Sequence, residues 1–530
     1  MNHNLLDYPY SSQRRVVLGK HGAVATSQSL ATLAGMEMFW AGGNAVDAAI
    51  ATAIALTVVE PTSNGIGGDA FALVWDGKLH GLNASGKSPQ AMSRDRYAGL
   101  ESVPELGWRA VTVPGAVSAW RVLWERWGKL PFEQLFAPAI RYAQEGFPVS
   151  PVTAAAWQRA ETTYLPLTGP QFSPFKAVFF PQGRAPNAGE IWASPAHGQT
   201  LQEIANSGGN SFYRGQLAQA IAEFAAETGG LLTLADLANH ESLWVEPISI
   251  QYRQFRVWEM PPNTQGIAAL MALNILEGFD IAATPRESAV SYHRQIEAMK
   301  LAFADVYRHV ADPDFMTVSG EQLLDTAYAA QRRELIQHRA SSRALPGLAT
   351  GGTVYLATAD EELMVSLIQS NYNGFGSGLL VPGTGIALHN RGSGFTLAAG
   401  HPNQLAPGKR PFHTLIPGFL TQGDRPVGPF GVMGAPMQPQ GHLQVVVNLV
   451  DYGLNPQAAL DAPRWRFVES DRVLVESGVS SAIIQKLRDR DHDIQIAPPT
   501  LFGKGQIILR QNGTLVAASE PRADGIALAY

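Results

Sequence analysis

The sequence predicts a mixed α/β (α+β) fold in which helices cover sheets of β-strands, and three observations indicate it. Residues 24–60 and 113–230 show mainly helical apolar patterns with breaks at Gly and Pro. After residue 353 the chain changes to short apolar runs separated by Gly, Asn and Pro, which is typical of strands. No repeat of fixed period occurs, which disfavours solenoids and propellers. The pattern leaves open whether strands near 70–82 join those after 353 in one sandwich of sheets.

The first predicted elements are two consecutive helices and a hairpin. The run SQSLATLAGMEMFW has helical spacing and ends at Gly42 and Gly43, a stop signal for a helix. Asn44 is suited to cap the next helix, whose Ala- and Ile-rich sequence predicts burial on most sides. Two apolar stretches joined by Asp76 and Gly77 then predict a β-hairpin.

The later elements are predicted from the same kinds of sequence pattern. A long amphipathic helix is predicted at 289–311, and the small, polar residues of 335–352 are typical of an exposed loop. From Thr353 onward the strand-like runs are TVYLATAD, LMVSLIQS, GIALHN and GQIILRQNGTLVAAS.

Composition excludes several classes of protein. The 530 residues include no cysteine, which excludes thiol catalysis, disulfides and thiolate metal sites. A net charge of −6 without any basic run gives no support to nucleic-acid binding. The first 22 residues lack the apolar stretch of a signal peptide, and the most apolar segment, AVDAAIATAIALTVVEP, is too short to cross a bilayer. We therefore expect a cytoplasmic protein without nucleic-acid or membrane partners.

The stretch GGTVYLATAD, residues 351–360, carries the most specific chemical hypothesis. A threonine hydroxyl is a weak nucleophile, but the free amine of an N-terminal threonine has a pKa near 8 and can act as its base. Thr353 gains such an amine only if the Gly352–Thr353 bond is cut. Glycines at 351 and 352 tolerate strained backbone and leave the Gly352 carbonyl open to attack by the Thr353 hydroxyl. The alternative is an ordinary strand that follows a Gly-Gly loop.

Several longer blocks resemble the γ-glutamyltransferase family of self-processing N-terminal nucleophile hydrolases. They are GGNAVDAAIATAIALTVVEPTSNGIGGDAFALVW, VPGAVSAW, LPFEQLFAPAIRYAQEGFPVS, TVYLATAD, FGSGLLVPGTGIALHN and APGKRPFHTLIP, in family order along nearly the whole chain. The resemblance implies a four-layer αββα sandwich, cleavage between Gly352 and Thr353, and Thr353 as the catalytic residue. It also implies a large fragment, 1–352, a small fragment, 353–530, and a homodimer of that processed pair. No cofactor and no metal ion are implied.

Residues that bind the glutamyl group in the family are partly absent. Ser85 stands in the segment where the family usually has an arginine for the α-carboxylate, and Gly394 replaces the acidic residue for the α-amino group. Without those partners, selection for a γ-glutamyl group loses its physical basis. Arg391 lies in the same neighbourhood and is a candidate to bind a substrate carboxylate, the alternative being a structural arginine.

Other substrate-binding candidates come from the same comparison of motifs. The family's asparagine near the nucleophile corresponds to Tyr372 or its neighbour Asn371, and His413 and Thr414 replace its serine pair. The string QSNYNGFGSGLLVPGTGIALHNRGSGF resembles the oxamate amidohydrolase branch, which implies hydrolysis of a small carboxylate-bearing amide such as oxamate.

The resemblance also assigns supporting roles. The loop GAPMQPQGH falls where the family has its oxyanion hole, with backbone N–H groups of Met437 and Gln438, although a Pro-rich turn before a helix is the alternative. Thr358 and Asp360 are expected to support Thr353 by packing and hydrogen bonds.

Competing functions fit the sequence less well. There is no HExxH motif, no phosphate-binding loop, no dinucleotide fingerprint and no GxSxG elbow. Within the family, γ-glutamyl transfer, glutathione hydrolysis and hydrolysis of larger acyl amides, as in cephalosporin acylases, remain open. The non-enzyme alternative is an uncleaved relative that binds a ligand.

Overall fold

The computed structural model describes residues 14–341 and 352–530. The predicted loop at 335–352 therefore lies largely outside the described residues. Nine strands precede residue 341: β1 (Val17–Gly19), β2 (Gly22–Thr26), β3 (Asp69–Trp75), β4 (Leu79–Asn83), β5 (Phe147–Pro148), β6 (Ile191–Trp192), β7 (Leu243–Val245), β8 (Ile248–Tyr252) and β9 (Phe255–Glu259).

Twelve strands follow in the described part after 352: β10 (Gly352–Asp360), β11 (Met364–Tyr372), β12 (Leu379–Leu380), β13 (Ala387–Leu388), β14 (Gly418–Gln422), β15 (Arg425–Met433), β16 (Trp465–Glu469), β17 (Arg472–Val475), β18 (Asp493–Ile496), β19 (Lys504–Gln511), β20 (Thr514–Ser519) and β21 (Ile526–Ala529).

The α-helices of the described residues lie mostly before 341: α1 (Ser29–Trp40), α2 (Ala45–Val59), α3 (Ala116–Trp127), α4 (Ala137–Glu145), α5 (Pro151–Tyr164), α6 (Ser173–Phe179), α7 (Pro195–Asn206), α8 (Asn210–Arg214), α9 (Gln216–Thr228), α10 (Leu234–Ala238), α11 (Gly266–Leu276), α12 (Ala289–His309), α13 (Gly320–Leu323), α14 (Thr326–Glu334), α15 (Met437–Val450), α16 (Pro456–Asp461) and α17 (Ser481–Arg488). None of these helices is both long and apolar enough to cross a membrane.

Two seven-stranded antiparallel sheets form the centre of the fold. One has the order β1-β20-β19-β15-β14-β9-β8 and the other the order β21-β2-β10-β11-β3-β4-β7. Helices α1 and α2 pack on the outside of the second sheet, and α11 and α15 pack on the outside of the first. The four-layer αββα sandwich is thereby confirmed, and strands from both sides of residue 353 share each sheet.

Strand β10 contributes side chains to two hydrophobic cores, one on each of its faces. Tyr355 and Ala357 pack between the two sheets, whereas Val354 and Leu356 pack against the helical layer. Successive side chains of a strand point to opposite faces, so an uninterrupted apolar run fits a strand that is covered on both sides.

The N-terminal predictions are confirmed. Helix α1 ends at Trp40, just before Gly42, whose φ of +88° favours glycine. The Asn44 side chain accepts hydrogen bonds from the backbone N–H of Val46 and Asp47, which caps the fully buried α2. Strands β3 and β4 pair antiparallel around the predicted turn at Gly77.

Candidate active site

Thr353 lies at an irregularity near the start of β10, a strand bordered by β2 and β11. The pairing register with β11 shifts between Gly352 and Val354, so Thr353 is the residue outside the regular ladder. Its side chain is 1% exposed. The two neighbouring strands therefore hold a buried threonine whose position is set by the sheet.

Ser370 on β11 connects the Thr353 hydroxyl with the peptide bond before it. Its Oγ lies 2.6 Å from the Gly352 carbonyl oxygen and 3.1 Å from the Thr353 Oγ. A hydroxyl has one proton, and the carbonyl can only accept, so Ser370 donates to Gly352 and accepts from Thr353. The backbone N–H of Tyr372 also donates to the Ser370 Oγ, at 2.7 Å. This arrangement polarises the Gly352 carbonyl and places a hydroxyl nucleophile beside it.

Gly352 faces a cleft of about 450 Å³, which we call the Gly352 cleft. Its wall includes residues from both sides of the Gly352–Thr353 bond, among them Thr62, Asn373, Gly434 and Arg466. A concave site of this size with a few polar groups is a typical place for a small-molecule ligand.

Two consecutive backbone N–H groups lie at the edge of this cleft, between β15 and α15. Gly434 lines the cleft and has a φ of +134°, and Ala435 has a φ of +52°, which is unusual for a residue with a side chain. Neither N–H has an acceptor among the described residues. Adjacent unpaired N–H groups can stabilise a developing oxyanion.

A sequence model of the gamma-glutamyltranspeptidase family matches residues 31–530. The chain belongs to this family. It is 36% identical to the "glutathione hydrolase-like YwrD proenzyme" of Bacillus subtilis, over 97% of this chain and 99% of that protein. It is 34% identical to the "oxamate amidohydrolase proenzyme" of Klebsiella pneumoniae, over 96% of this chain and 98% of that one. The solved cephalosporin acylase of Bacillus halodurans is 53% identical, with a TM-score of 0.96, covering 100% of this chain and 99% of its own.

The family resemblance predicted Met437 and Gln438 as oxyanion donors, but the structure gives both groups other acceptors. The Met437 N–H donates to Gly434 O at 3.0 Å, and the Gln438 N–H donates to Ala435 O at 3.1 Å. These bonds belong to the first turn of α15. The role of Met437 and Gln438 as oxyanion donors stays a prediction, and the N–H groups of Gly434 and Ala435 are further candidates for it.

Arg391 is part of a fully buried cluster around Asp69. The Asp69 Oδ2 accepts from His389 Nδ1 at 3.0 Å, Arg391 Nε at 3.1 Å and His413 Nε2 at 3.0 Å. Burial raises the pKa of Asp69, but the charge and hydrogen bonds of His389, followed by those of His413, outweigh it and hold that pKa well below its usual range. Burial, reinforced by the Arg391 charge, lowers the pKa of His413 to about 3. The cluster thus holds an ionised carboxylate and a neutral His413.

The other contacts of Arg391 are also internal. Its guanidinium stacks 4.1 Å from the ring centre of Tyr372, and its Nη1 donates to Thr414 Oγ1 at 3.0 Å. Ser85 is buried as well, and its hydroxyl donates to Asn83 Oδ1 at 2.7 Å. Like these residues, His413 and Asn371 are buried and do not line the Gly352 cleft.

Thr358 and Asp360 act at the opposite end of β10 from Thr353. The Thr358 hydroxyl donates to Ala45 O at 2.7 Å, and the Ala45 N–H donates to Asp360 Oδ2 at 2.6 Å. At ~3.4 Å per residue, Thr358 lies roughly 17 Å along the strand from Thr353. These side chains therefore connect β10 to the start of α2, and any support of Thr353 is transmitted through the strand.

One group of potential metal ligands occurs among residues 14–341 and 352–530, formed by His293, Glu297 and His492. The His293 Nδ1 and His492 Nε2 are hydrogen-bonded to each other at 2.8 Å, and Glu297 pairs with the Lys300 ammonium at 2.9 Å. None of the three ligands lines the Gly352 cleft. The Lys300 ammonium already supplies a cation to the carboxylate of this group.

Sequence reasoning missed the residues that the structure brings to the reacting peptide. Ser370, Gly434 and Arg466 were not predicted as site residues. For Ser370 a signal existed, because continuing the hairpin register that pairs Ala359 with Met364 puts Ser370 opposite Thr353. No sequence signal marked Arg466, which reaches the cleft from a separate small sheet.

Proposed function

We propose that the chain is a self-processing N-terminal threonine amidohydrolase that cleaves the amide of a carboxylate-bearing acyl group, such as oxamate. The observation that carries this proposal is the Ser370 hydroxyl, which donates to Gly352 O at 2.6 Å and lies 3.1 Å from the Thr353 Oγ. A carbonyl that is polarised beside a hydroxyl is arranged for nucleophilic attack.

Maturation follows from this geometry. The Thr353 Oγ attacks the Gly352 carbonyl carbon, the C–N bond breaks, and the Thr353 nitrogen takes a proton to become a free amine. Water then hydrolyses the resulting ester, which leaves a carboxylate on Gly352 and restores the Thr353 hydroxyl. The two products are fragments 1–352 and 353–530.

Turnover repeats the same chemistry on an external amide. The new amine of Thr353 accepts the proton of its own hydroxyl while the Oγ attacks the substrate carbonyl. The N–H groups of Gly434 and Ala435 stabilise the negative oxygen of the tetrahedral intermediate. The amine product departs with a proton, and water cleaves the acyl ester on Thr353.

The carboxylate-bearing substrate is supported by the departures from the glutamyl-binding pattern and by the cations of the cleft. Arg466 and Lys504 line the Gly352 cleft. The similarity to the oxamate amidohydrolase proenzyme supports the small acid. Glutathione hydrolysis and γ-glutamyl transfer remain the alternatives, since glutathione hydrolase-like proteins are also relatives.

A second candidate is the hydrolysis of a larger acyl amide. The volume of about 450 Å³ falls in the range that holds drug-sized ligands, and the similarity to a cephalosporin acylase points the same way.

N-terminal sequencing and a paired assay test the proposal. Purified protein is expected to give two chains on a denaturing gel, and the smaller should begin Thr-Val-Tyr. Thr353→Ala should remain one inactive chain, whereas Thr353→Ser, which keeps a hydroxyl, should still be cut. Ammonia release from oxamate and chromophore release from a γ-glutamyl anilide then distinguish the substrates. An active polypeptide that is continuous through residue 353 would contradict the mechanism.

A further inference from the structure

Arg466, on strand β16, is a buried cation on the wall of the Gly352 cleft. Arg466 is 5% exposed and lines the same cleft as Gly352 and Gly434. The reacting peptide, the oxyanion donors and a guanidinium therefore border one space.

Arg466 has few partners inside the protein. Its Nη1 donates to Leu501 O at 3.1 Å, and its Nε is buried without an acceptor among the described residues. No carboxylate among the described residues pairs with the Arg466 guanidinium. Burial lowers the pKa of Arg466, and the phenol of Tyr307 opposes this only in part.

Two other buried arginines each have the carboxylate partner that Arg466 lacks. Arg391 pairs with Asp69 at 3.1 Å, and Arg464, only two residues earlier, pairs with Glu520 at 2.8 Å. A guanidinium that is removed from water without an anion is costly. Buried Arg410 has no ion pair either, but its Nε and Nη2 both donate to backbone carbonyls, those of Ser85 and Glu241. Arg466 has no carboxylate partner among the described residues and borders the open Gly352 cleft.

The remaining cations of the cleft are differently placed. Lys504 lies 3.5 Å from Glu60, and Arg159 is exposed to water. The Thr62 hydroxyl also lines the cleft and lacks a partner among the described residues. Glu105 and Asn373 line the cleft as well, and burial raises the pKa of Glu105 while a hydrogen bond from the Asn373 side chain opposes this rise. Arg466 is thus the buried cation of the described cleft wall that has no carboxylate partner.

We propose that Arg466 forms the carboxylate-binding subsite for the acyl group of the substrate. This inference rests on the proposed amidohydrolase function and gives the substrate class as monoamides of dicarboxylic acids. A guanidinium can hold a carboxylate through two parallel hydrogen bonds and thereby fix the position of the amide. Arg391, the arginine expected from sequence, already pairs with Asp69 and lies outside the cleft wall.

The test compares substrates with and without the carboxylate. Oxamate, succinamate and adipamate are each assayed for ammonia release beside the neutral amide of the same chain length. For Arg466→Gln we expect kcat/KM on the best acidic amide to fall on the order of 100-fold, since a charged partner is lost from a desolvated site. The neutral counterpart should change less than about threefold. Arg159→Gln, at an exposed arginine of the same cleft, should leave both substrates nearly unchanged.

Binding separates this inference from the proposed reaction. Succinate and butyrate are titrated into processed enzyme by calorimetry, and Arg466→Gln should weaken succinate alone. If Arg466→Gln is not cleaved into two chains, Arg466→Lys is titrated in its place. Lysine keeps the positive charge but cannot form the two parallel hydrogen bonds of a guanidinium, so the variant should show a smaller loss of affinity that is confined to acidic ligands. Equal losses for acidic and neutral ligands, or no loss, would overturn the subsite. If succinate binding depends on Arg466 but no amide is hydrolysed, the subsite stands and the proposed function fails.

Discussion

In the proposed maturation, Ser370 is the side chain that contacts both the Gly352 carbonyl and the Thr353 hydroxyl. Its hydroxyl has one proton, which goes to the Gly352 carbonyl, and its lone pairs face Thr353 and the Tyr372 N–H. The same serine therefore activates the electrophile and orients the nucleophile. No other described side chain contacts the Thr353 hydroxyl within hydrogen-bond distance.

Removing this hydroxyl should slow the cut without unfolding the protein. For Ser370→Ala we expect the precursor to be processed about 100-fold more slowly, the usual loss for one donor to a developing oxyanion. The measurement is the fraction of uncut chain against time on a denaturing gel. Ser366→Ala is the matched control, because Ser366 lies on the same strand and its hydroxyl contacts Tyr355 instead. Processing of Ser370→Ala at the rate of the unchanged protein would remove Ser370 from the mechanism.

The residues of the site differed in how far sequence could predict them. The stretch GGTVYLATAD alone also fits an ordinary strand after a Gly-Gly loop, and Thr353 becomes the predicted nucleophile through the family-like blocks around it. Arg391 was chosen as a candidate because it is charged and close in sequence to the site, yet sequence could not reveal that Asp69 would pair with it from a strand 322 residues away. Pairing of buried charges is decided by tertiary contacts, which sequence spacing does not contain.

Strand β10 links the candidate nucleophile to the helical layer. Its first residues carry the Gly352–Thr353 bond, and its last residues bind the N-terminus of α2 through Thr358 and Asp360. Because the strand has hydrogen-bonded neighbours on both sides, an anchor at one end limits movement at the other.

The anchor should contribute to stability more than to chemistry. Thr358→Val keeps the shape but removes the hydroxyl that donates to the Ala45 carbonyl, which keeps its hydrogen bond within α2. We therefore expect the free energy of unfolding to fall by about 0.5–1.5 kcal/mol, the net contribution of one hydrogen bond. Urea denaturation of the processed protein measures this loss, and the cleavage rate should stay within about threefold of the unchanged protein. A large loss of cleavage at unchanged stability would instead assign Thr358 a direct role.

At the scale of the whole molecule, both central sheets contain strands from both sides of residue 353. In the sheet that holds β10, the strands β2, β3, β4 and β7 come from the first part and β10, β11 and β21 from the second. The early helices and the hairpin at Asp76 and Gly77 were predictable because their signals are local, whereas the four-layer sandwich was predictable only through the family resemblance. The order of strands was not, because strands distant in sequence pair through contacts that no local pattern specifies.

Buried histidines make the folded molecule sensitive to acid. Burial lowers the pKa of His197 to about 4, so between pH ~6.5 and about 4 the unfolded chain binds a proton there that the folded chain does not. Stability should therefore fall as pH decreases through this window. His197→Gln should reduce that dependence by about 1.4 kcal/mol per pH unit, measured by urea denaturation from pH 7 to 4.

His338→Gln, at an exposed histidine, is the control for this measurement. It should leave the pH dependence of stability unchanged. An equal effect of both substitutions would show that His197 is not the source of the acid sensitivity.

The placement of Thr353 in a central strand has a consequence for the timing of activation. A chain end released at the edge of a sheet would have to find its working position by diffusion, but β10 is paired with β11, and from Leu356 onward also with β2, before any bond is broken. The catalytic amine would thus appear close to its working position. Activity would then rise together with hydrolysis of the Thr353 ester, with no further lag for placing the new chain end.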